Sequence, residues 1–138
     1  MIDLKNLNII VTGSTGVIGN SILEKLILGG SNILATGTNE EKLKEIENKY
    51  EKINTLKFDI SDHKNIEEFV EKCNSILSNK IDVLINNAGT NISHGNFYFL
   101  KKDLVEQTIN TNLIATILFT NKVVKFMIPK KKGKIINI

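Results

Sequence analysis

Apolar and polar positions follow two rhythms along this chain, and the rhythms take turns. Short apolar runs stand at Leu7–Val11, Ile33–Thr36, Thr55–Phe58, Ile81–Ile85 and Ile135–Ile138. Each has the length of a strand buried on both faces rather than of a helix. Between them, apolar residues recur every three or four positions. In Val17–Leu28, Ile18, Ile22 and Leu26 share one face, and Gly29-Gly30 ends the helix. Asn39 is the expected N-cap of a helix carrying Leu43, Ile46 and Tyr50. Ser61 or Asp62 is expected to cap the next, whose Ile66, Phe69, Val70, Cys73, Ile76 and Leu77 form one stripe. Lys101–Asn112 and Leu113–Ile128 are expected as two consecutive helices, the second ending at Pro129. Uninterrupted alternation of strand and helix predicts an α/β domain. Its parallel sheet is doubly wound with right-handed crossovers, a Rossmann-type fold cut off after the fifth strand.

The helix at 113–128 departs from the amphipathic rule. Leu113, Ile117 and Val124 point to one side, and Ala115, Phe119 and Phe126 to the other. One face can cover the sheet; the other needs a partner. A homo-oligomer interface through this helix in the full-length protein is expected, the alternative cover being a C-terminal segment beyond this chain.

Composition narrows the class. A chain of 138 residues suggests one domain, and 41% apolar residues exclude a disordered chain. Cys73 is the only cysteine, which excludes a disulfide framework; on the apolar stripe it reads as core filler. No His, Asp or Glu pair has metal-ligand spacing, so no metal is expected. No apolar run reaches the ~18 residues of a membrane span, and the start Met1-Ile2-Asp3-Leu4 lacks a signal peptide's basic flank and long apolar stretch. A cytoplasmic protein without a membrane partner is the expectation. The net charge is +3, and every basic residue is Lys. Without Arg, the residue suited to bidentate base and phosphate contacts, no nucleic-acid partner is expected. Lys130, Lys131, Lys132 and Lys134 read as a solvated helix-end cluster, with a phosphate patch as the alternative.

Candidate chemistry gathers in Thr12-Gly13-Ser14-Thr15-Gly16-Val17-Ile18-Gly19, between the first strand and the first helix. A diphosphate must approach the backbone closely. Glycines remove the Cβ atoms in its way, and the helix start offers free amides and the positive dipole end. A dinucleotide site also reads the adenosine ribose at the end of the second strand, with an acid where the ligand is NAD. Here the strand ends Ala35-Thr36-Gly37-Thr38-Asn39, with no acid. NADP is therefore expected, with NAD possible, and Thr38, Asn39 and Lys42 are the local candidates for a 2′-phosphate.

Four landmarks, in order, give the chain a resemblance to the short-chain dehydrogenases/reductases, which are single-domain NAD(P)-dependent oxidoreductases. The Thr12–Gly19 turn resembles the family's Thr-Gly-x-x-x-Gly-x-Gly. Asp59, in Phe58-Asp59-Ile60, resembles the acid that contacts the adenine. Asn86-Asn87-Ala88-Gly89 resembles the signature that shapes the sheet and lines the cofactor, and Asn112 the helix asparagine of the catalytic set. The resemblance implies cofactor contacts from Gly13, Ser14, Thr15, Gly16, Ile18, Gly19, Thr38, Asp59, Ile60, Asn87, Ala88 and Gly89. Asn112 would hold a water of the proton relay. Within the family the chain is most similar to the 3-oxoacyl-[acyl-carrier-protein] reductases, which implies NADPH-dependent reduction of an acyl-thioester or small-molecule carbonyl in fatty-acid synthesis. Sugar-alcohol and hydroxy-acid dehydrogenases stay open, as does a non-catalytic nucleotide-binding or structural paralogue.

Two departures stand out. Position 17 is Val where the short type usually has Gly, which is expected to place a side chain near the phosphates. The family's catalytic Ser and Tyr-x-x-x-Lys lie beyond Ile138, so the chain reads as an incomplete enzyme, inactive alone. Tyr50 is expected in the core and Tyr98 in a loop, neither in the catalytic role. His63 is expected to be exposed and His94 solvated, the alternative for His94 being to orient a carbonyl. Asp82 is expected at the start of the fourth strand, bonded to a neighbouring backbone group.

Overall fold

The computed structural model describes residues 3–91 and 96–138. Strands β1 (Asn8–Val11), β2 (Asn32–Gly37), β3 (Ile53–Lys57), β4 (Val83–Asn86) and β5 (Lys134–Asn137) are all parallel, in the order β3-β2-β1-β4-β5. Helices α1 (Val17–Leu28), α2 (Glu40–Lys49), α3 (Ile66–Ile76), α4 (Lys102–Ile109) and α5 (Ala115–Met127) connect them. This is the doubly wound α/β fold the alternation predicts. Strand order reverses between β1 and β4, which opens a crevice at their carboxyl ends.

The two-residue period of the strands divides the core. Ile9, Val11, Ile33, Ala35, Val83 and Ile85 face Leu23 and Leu26 of α1 and Ile46 of α2. Ile10, Leu34 and Leu84 face Phe69, Val70 and Cys73 of α3 and Phe119 and Val123 of α5. Both faces are covered, so alternate residues of the central strands are all apolar. Cys73 lies in this core as expected, where burial pushes its thiol up to about 12. Asp82 immediately precedes β4; its Oδ2 accepts from the Asn8 amide at 3.0 Å and meets Lys80 Nζ at 3.0 Å.

Several boundaries differ from the sequence reading. β3 begins two residues early, because an edge strand is half polar and its apolar run marks only part of it. Asn39 caps α2, its Oδ1 accepting from the Lys42 amide at 2.9 Å. Ser61 and Asp62 do not cap α3. A 3-10 turn (His63–Asn65) intervenes, Asp62 accepts from the Asn65 side chain at 2.7 Å, and Ser61 donates to Asp59. His63 is half-buried rather than exposed, and its Nε2 has no partner among the described residues.

The two helices expected over 101–128 form one continuous helix, Lys102–Lys130. Asn110–Ile114 widens into a π-turn, in which the Ala115 amide donates to the Asn110 carbonyl. Ala115, Phe119, Val123 and Met127 are buried against the sheet, whereas Leu113 (55%) and Ile117 (57%) are exposed. By length and composition this helix, alone among the described residues, could cross a membrane. Scattered polar residues break its apolar runs without lowering its average hydropathy enough to exclude it.

Candidate functional site

The loop after β1 is shaped by contacts within the protein. Gly13 has φ +65°, and a Cβ there would lie 2.7 Å from Ala88 Cα. At Gly19 a Cβ would lie 2.3 Å from the Gly13 carbonyl oxygen and 2.7 Å from Ser14 Cα, so this glycine lets α1 press against the loop. Gly16 is different. Its backbone (φ −83°, ψ 168°) suits any residue, and an added Cβ would meet only the Gly13 oxygen, at 3.5 Å. The fold does not require this glycine; the space above it is open.

The start of α1 faces that space. No side chain caps it, and its first turn carries no acidic residue. The amides of Val17, Ile18 and Gly19 find no acceptor among the described residues. Unmatched amides and the dipole make this end attractive to an anion.

Residues from β4 lock the loop in place. Thr12 Oγ1 accepts the amides of Asn87 (3.1 Å) and Ala88 (3.0 Å). Asn87 Nδ2 donates to the carbonyls of Thr12 and Gly13, both at 3.1 Å. Asn86 Nδ2 donates to Thr120 Oγ1 (2.9 Å) and Asn137 Oδ1 (2.8 Å), tying β4 to α5 and β5.

A cleft of about 680 Å³ opens between these elements. Gly13, Thr15, Gly16, Ile18 and Gly19 line it from the loop, Thr38 from the end of β2, and Asp59 and Ile60 from the segment after β3. Asn87, Ala88 and Gly89 line it after β4. Among the described residues, Asp59 is the only charged one in this lining. Its Oδ1 accepts from the Ser61 amide (2.9 Å) and hydroxyl (2.6 Å).

Two assigned residues stand off the lining. Ser14 is buried, its hydroxyl donating to the Val11 carbonyl at 2.8 Å and its amide to the Thr36 carbonyl at 2.9 Å. Asn112 forms a clasp instead: its Oδ1 accepts from the Thr90 amide (2.8 Å) and its Nδ2 donates to the Thr90 carbonyl (2.9 Å). Its neighbour Thr111 lines the cleft. Val17 also lines it, 87% exposed at the mouth. Thr36, Gly37, Phe58, Ser61, Thr90 and Phe119, none of them an expected cofactor contact, complete the walls with Thr12. Most sit within two residues of an assigned position, so strand-end proximity is the available signal. Phe119 comes from α5 and carries none.

Lys42 does not line the cleft, and Asn39 uses its Oδ1 for the α2 cap. Tyr98 stands four residues before Lys102, the spacing of a Tyr-x-x-x-Lys pair that the sequence reading does not credit. The pair is not built as a site. Tyr98 is 85% exposed in the 3-10 turn Phe97–Phe99, off the cleft, while Lys102 pairs with Glu106 at 3.4 Å. Tyr50 is half-buried against the α1 and α2 layer. His94 lies outside the described residues.

Comparison with known proteins follows the same outline. The family model described as short chain dehydrogenase matches residues 7–138. The 3-oxoacyl-[acyl-carrier-protein] reductase of Aquifex aeolicus is 35% identical over 136 residues, covering 94% of this chain and 53% of that protein. Its counterpart in Buchnera aphidicola subsp. Acyrthosiphon pisum is 37% identical over 131 residues, covering 93% of this chain and 52% of that protein. Among solved structures, a metagenomic short-chain oxidoreductase in complex with NADP superposes with a TM-score of 0.88 at 28% identity, covering 99% of this chain and 63% of its own. ElxO with NADP bound gives a TM-score of 0.87 at 27% identity, covering 96% and 54%. The chain spans about half the length of the curated relatives it matches.

Proposed function

The chain belongs to the short-chain dehydrogenase family, and from that premise we propose that it carries the cofactor-binding part of an NADP-dependent carbonyl reductase acting on 3-oxoacyl thioesters. The observation that carries this reading is the open space above Gly16, bounded by the unmatched amides of α1 at the switch point of the sheet. A protein has no packing reason to keep that space.

Residues of this chain divide the work. The amides of Val17, Ile18 and Gly19 hold the diphosphate, with Gly16 letting it approach. Thr38 faces the ribose, and the free oxygen of Asp59 accepts from the adenine amino group while Ser61 holds the other. Asn87, Ala88 and Gly89 flank the nicotinamide end. When bound, the dinucleotide supplies hydride to a carbonyl carbon. Asn112 is assigned its family role, holding a water of the proton relay, from a helix position that the Thr90 clasp fixes. Residues 1–138 by themselves are proposed to bind nucleotide without turnover, since the family's positions for the catalytic Ser, Tyr and Lys lie beyond Ile138. The outward row of the long helix, Leu113 and Ile117, is proposed to pair with a second copy, and the buried row against the sheet favours a cytoplasmic rather than a membrane setting.

The test is a fluorescence titration with NADPH and NADH, beside a turnover assay with an acetoacetyl thioester. Saturable binding of NADPH without turnover is expected. No binding at millimolar nucleotide would instead favour a structural paralogue.

A further inference from the structure

The two oxygens of Asp59, the charged residue of the cleft lining, are not equivalent. Oδ1 accepts twice from Ser61, from its amide at 2.9 Å and from its hydroxyl at 2.6 Å. Oδ2 has no partner among the described residues. The turn that carries both residues is fixed. The Asp62 amide donates to the Asp59 carbonyl at 3.0 Å, and the His63 amide to the Ser61 carbonyl at 2.9 Å. Ile60, between the two polar residues, is buried in the same core cluster as Ile66 and Phe69. Asp59 and Ser61 themselves are exposed, and both line the cleft. A carboxylate on an exposed turn ordinarily keeps its rotational freedom. Here two bonds to one oxygen hold the plane of the group and leave the other oxygen as the free acceptor.

We propose that Ser61 is a positioning residue for base recognition: by engaging Oδ1 of Asp59 twice it presents Oδ2 alone to the base, so the cleft takes a base with an exocyclic amino group and refuses one with a carbonyl in its place. This rests on the nucleotide-binding reading above and deepens it. A carboxylate oxygen only accepts. Facing an amino group it gains a charge-assisted bond; facing a carbonyl it meets a second acceptor, and neither group finds a donor. The serine acts in advance of binding. It removes the rotational freedom that the carboxylate would otherwise lose when the base arrives.

The test titrates NADPH beside reduced nicotinamide hypoxanthine dinucleotide phosphate, which carries a carbonyl where adenine has its amino group. Both are followed by the fluorescence of the reduced nicotinamide, which that change leaves alone. The unaltered chain is expected to bind NADPH at least about tenfold more tightly than the hypoxanthine form. Ser61→Ala should lower that ratio to about threefold or less, through weaker binding of NADPH, with Tm unchanged because the serine is exposed. Ser61→Thr keeps the hydroxyl and should restore the ratio. In Asp59→Asn the two Ser61 donors retain the remaining oxygen, so the side-chain NH2 takes the free place. The hypoxanthine form is then expected to bind at least as tightly as NADPH. The proposal is overturned if Ser61→Ala leaves both nucleotides unchanged or weakens them equally, as a serine with a merely structural role would, or if Asp59→Asn keeps the full preference for NADPH. Equal binding of the two nucleotides by the unaltered chain refutes base recognition alone. Binding of neither refutes the nucleotide reading, and this proposal with it.

Discussion

Replacing Gly16 and Gly19 by alanine in turn should separate binding from stability, although the two lie three residues apart in one loop. At Gly19 the new Cβ would stand 2.3 Å from the Gly13 oxygen, about 1.1 Å short of the 3.4 Å at which ordinary contact begins. Backbone atoms cannot swing aside, so α1 must retreat from the loop. Overpacking of this kind costs about 1–3 kcal/mol. Strain on Asn87, whose Nδ2 would lie 3.0 Å from the same Cβ, adds about 1 kcal/mol in weakened bonds to Thr12 and Gly13. A total of about 2–4 kcal/mol should lower Tm by roughly 6–15 °C for a domain of this size. At Gly16 two small terms oppose: alanine is a poorer N-cap, but it restricts the unfolded chain. The net change should stay within about 1 kcal/mol. Its methyl group, however, occupies the space reserved for the diphosphate, and NADPH affinity should fall at least about tenfold, or 1.4 kcal/mol. Thermal melts with and without NADPH measure both quantities at once. Should Gly16→Ala bind NADPH as well as the unaltered chain, or lose as much Tm as Gly19→Ala, the loop is not a cradle for a ligand.

Further outcomes follow from other parts of the molecule. Hydrogen bonds and charge from Lys122 and Lys125 hold the Glu67 carboxyl down to about 2 from its ordinary 4.5. A depressed acid contributes stability above its unfolded pKa and loses it as pH falls, so Glu67→Gln should reduce Tm at neutral pH. That difference should shrink from about pH 4.5 down to pH 2; a difference constant over that range would refute the pairing. High salt should reduce the gap at neutral pH, since Glu67 and Lys125 are both exposed. Cys73, with its thiol pushed up to about 12, should resist a thiol reagent at about pH 8 and react only as fast as the domain opens. Rapid native-state modification would contradict its burial. Ile117→Glu should leave stability within about 0.5 kcal/mol of the unaltered chain yet abolish any self-association seen by sedimentation. Persistence of the dimer would place the interface elsewhere.

Much of this molecule is legible in the order of its amino acids alone. Short apolar runs and the 3.6-residue stripes fix a parallel sheet covered on both sides, because only strands buried twice can be continuously apolar. The bounds of α1, the Asn39 cap and the burial of Cys73 follow from local chemistry: glycines, a capping side chain, and a position on a stripe. So does the location of the cleft, since a glycine turn between a strand and a helix can only lie at the sheet's carboxyl edge. What the linear pattern cannot contain are distances between residues far apart in the chain. Gly13, Gly16 and Gly19 look alike in sequence, yet two are required by Ala88 and Ser14 pressing on them, and one by nothing in the protein. The fusion of two helices through a π-turn and the clasp of Asn112 on Thr90 likewise arise only when separate segments compete for one volume. Periodicity reports which way a side chain must face; only packing decides what it meets there.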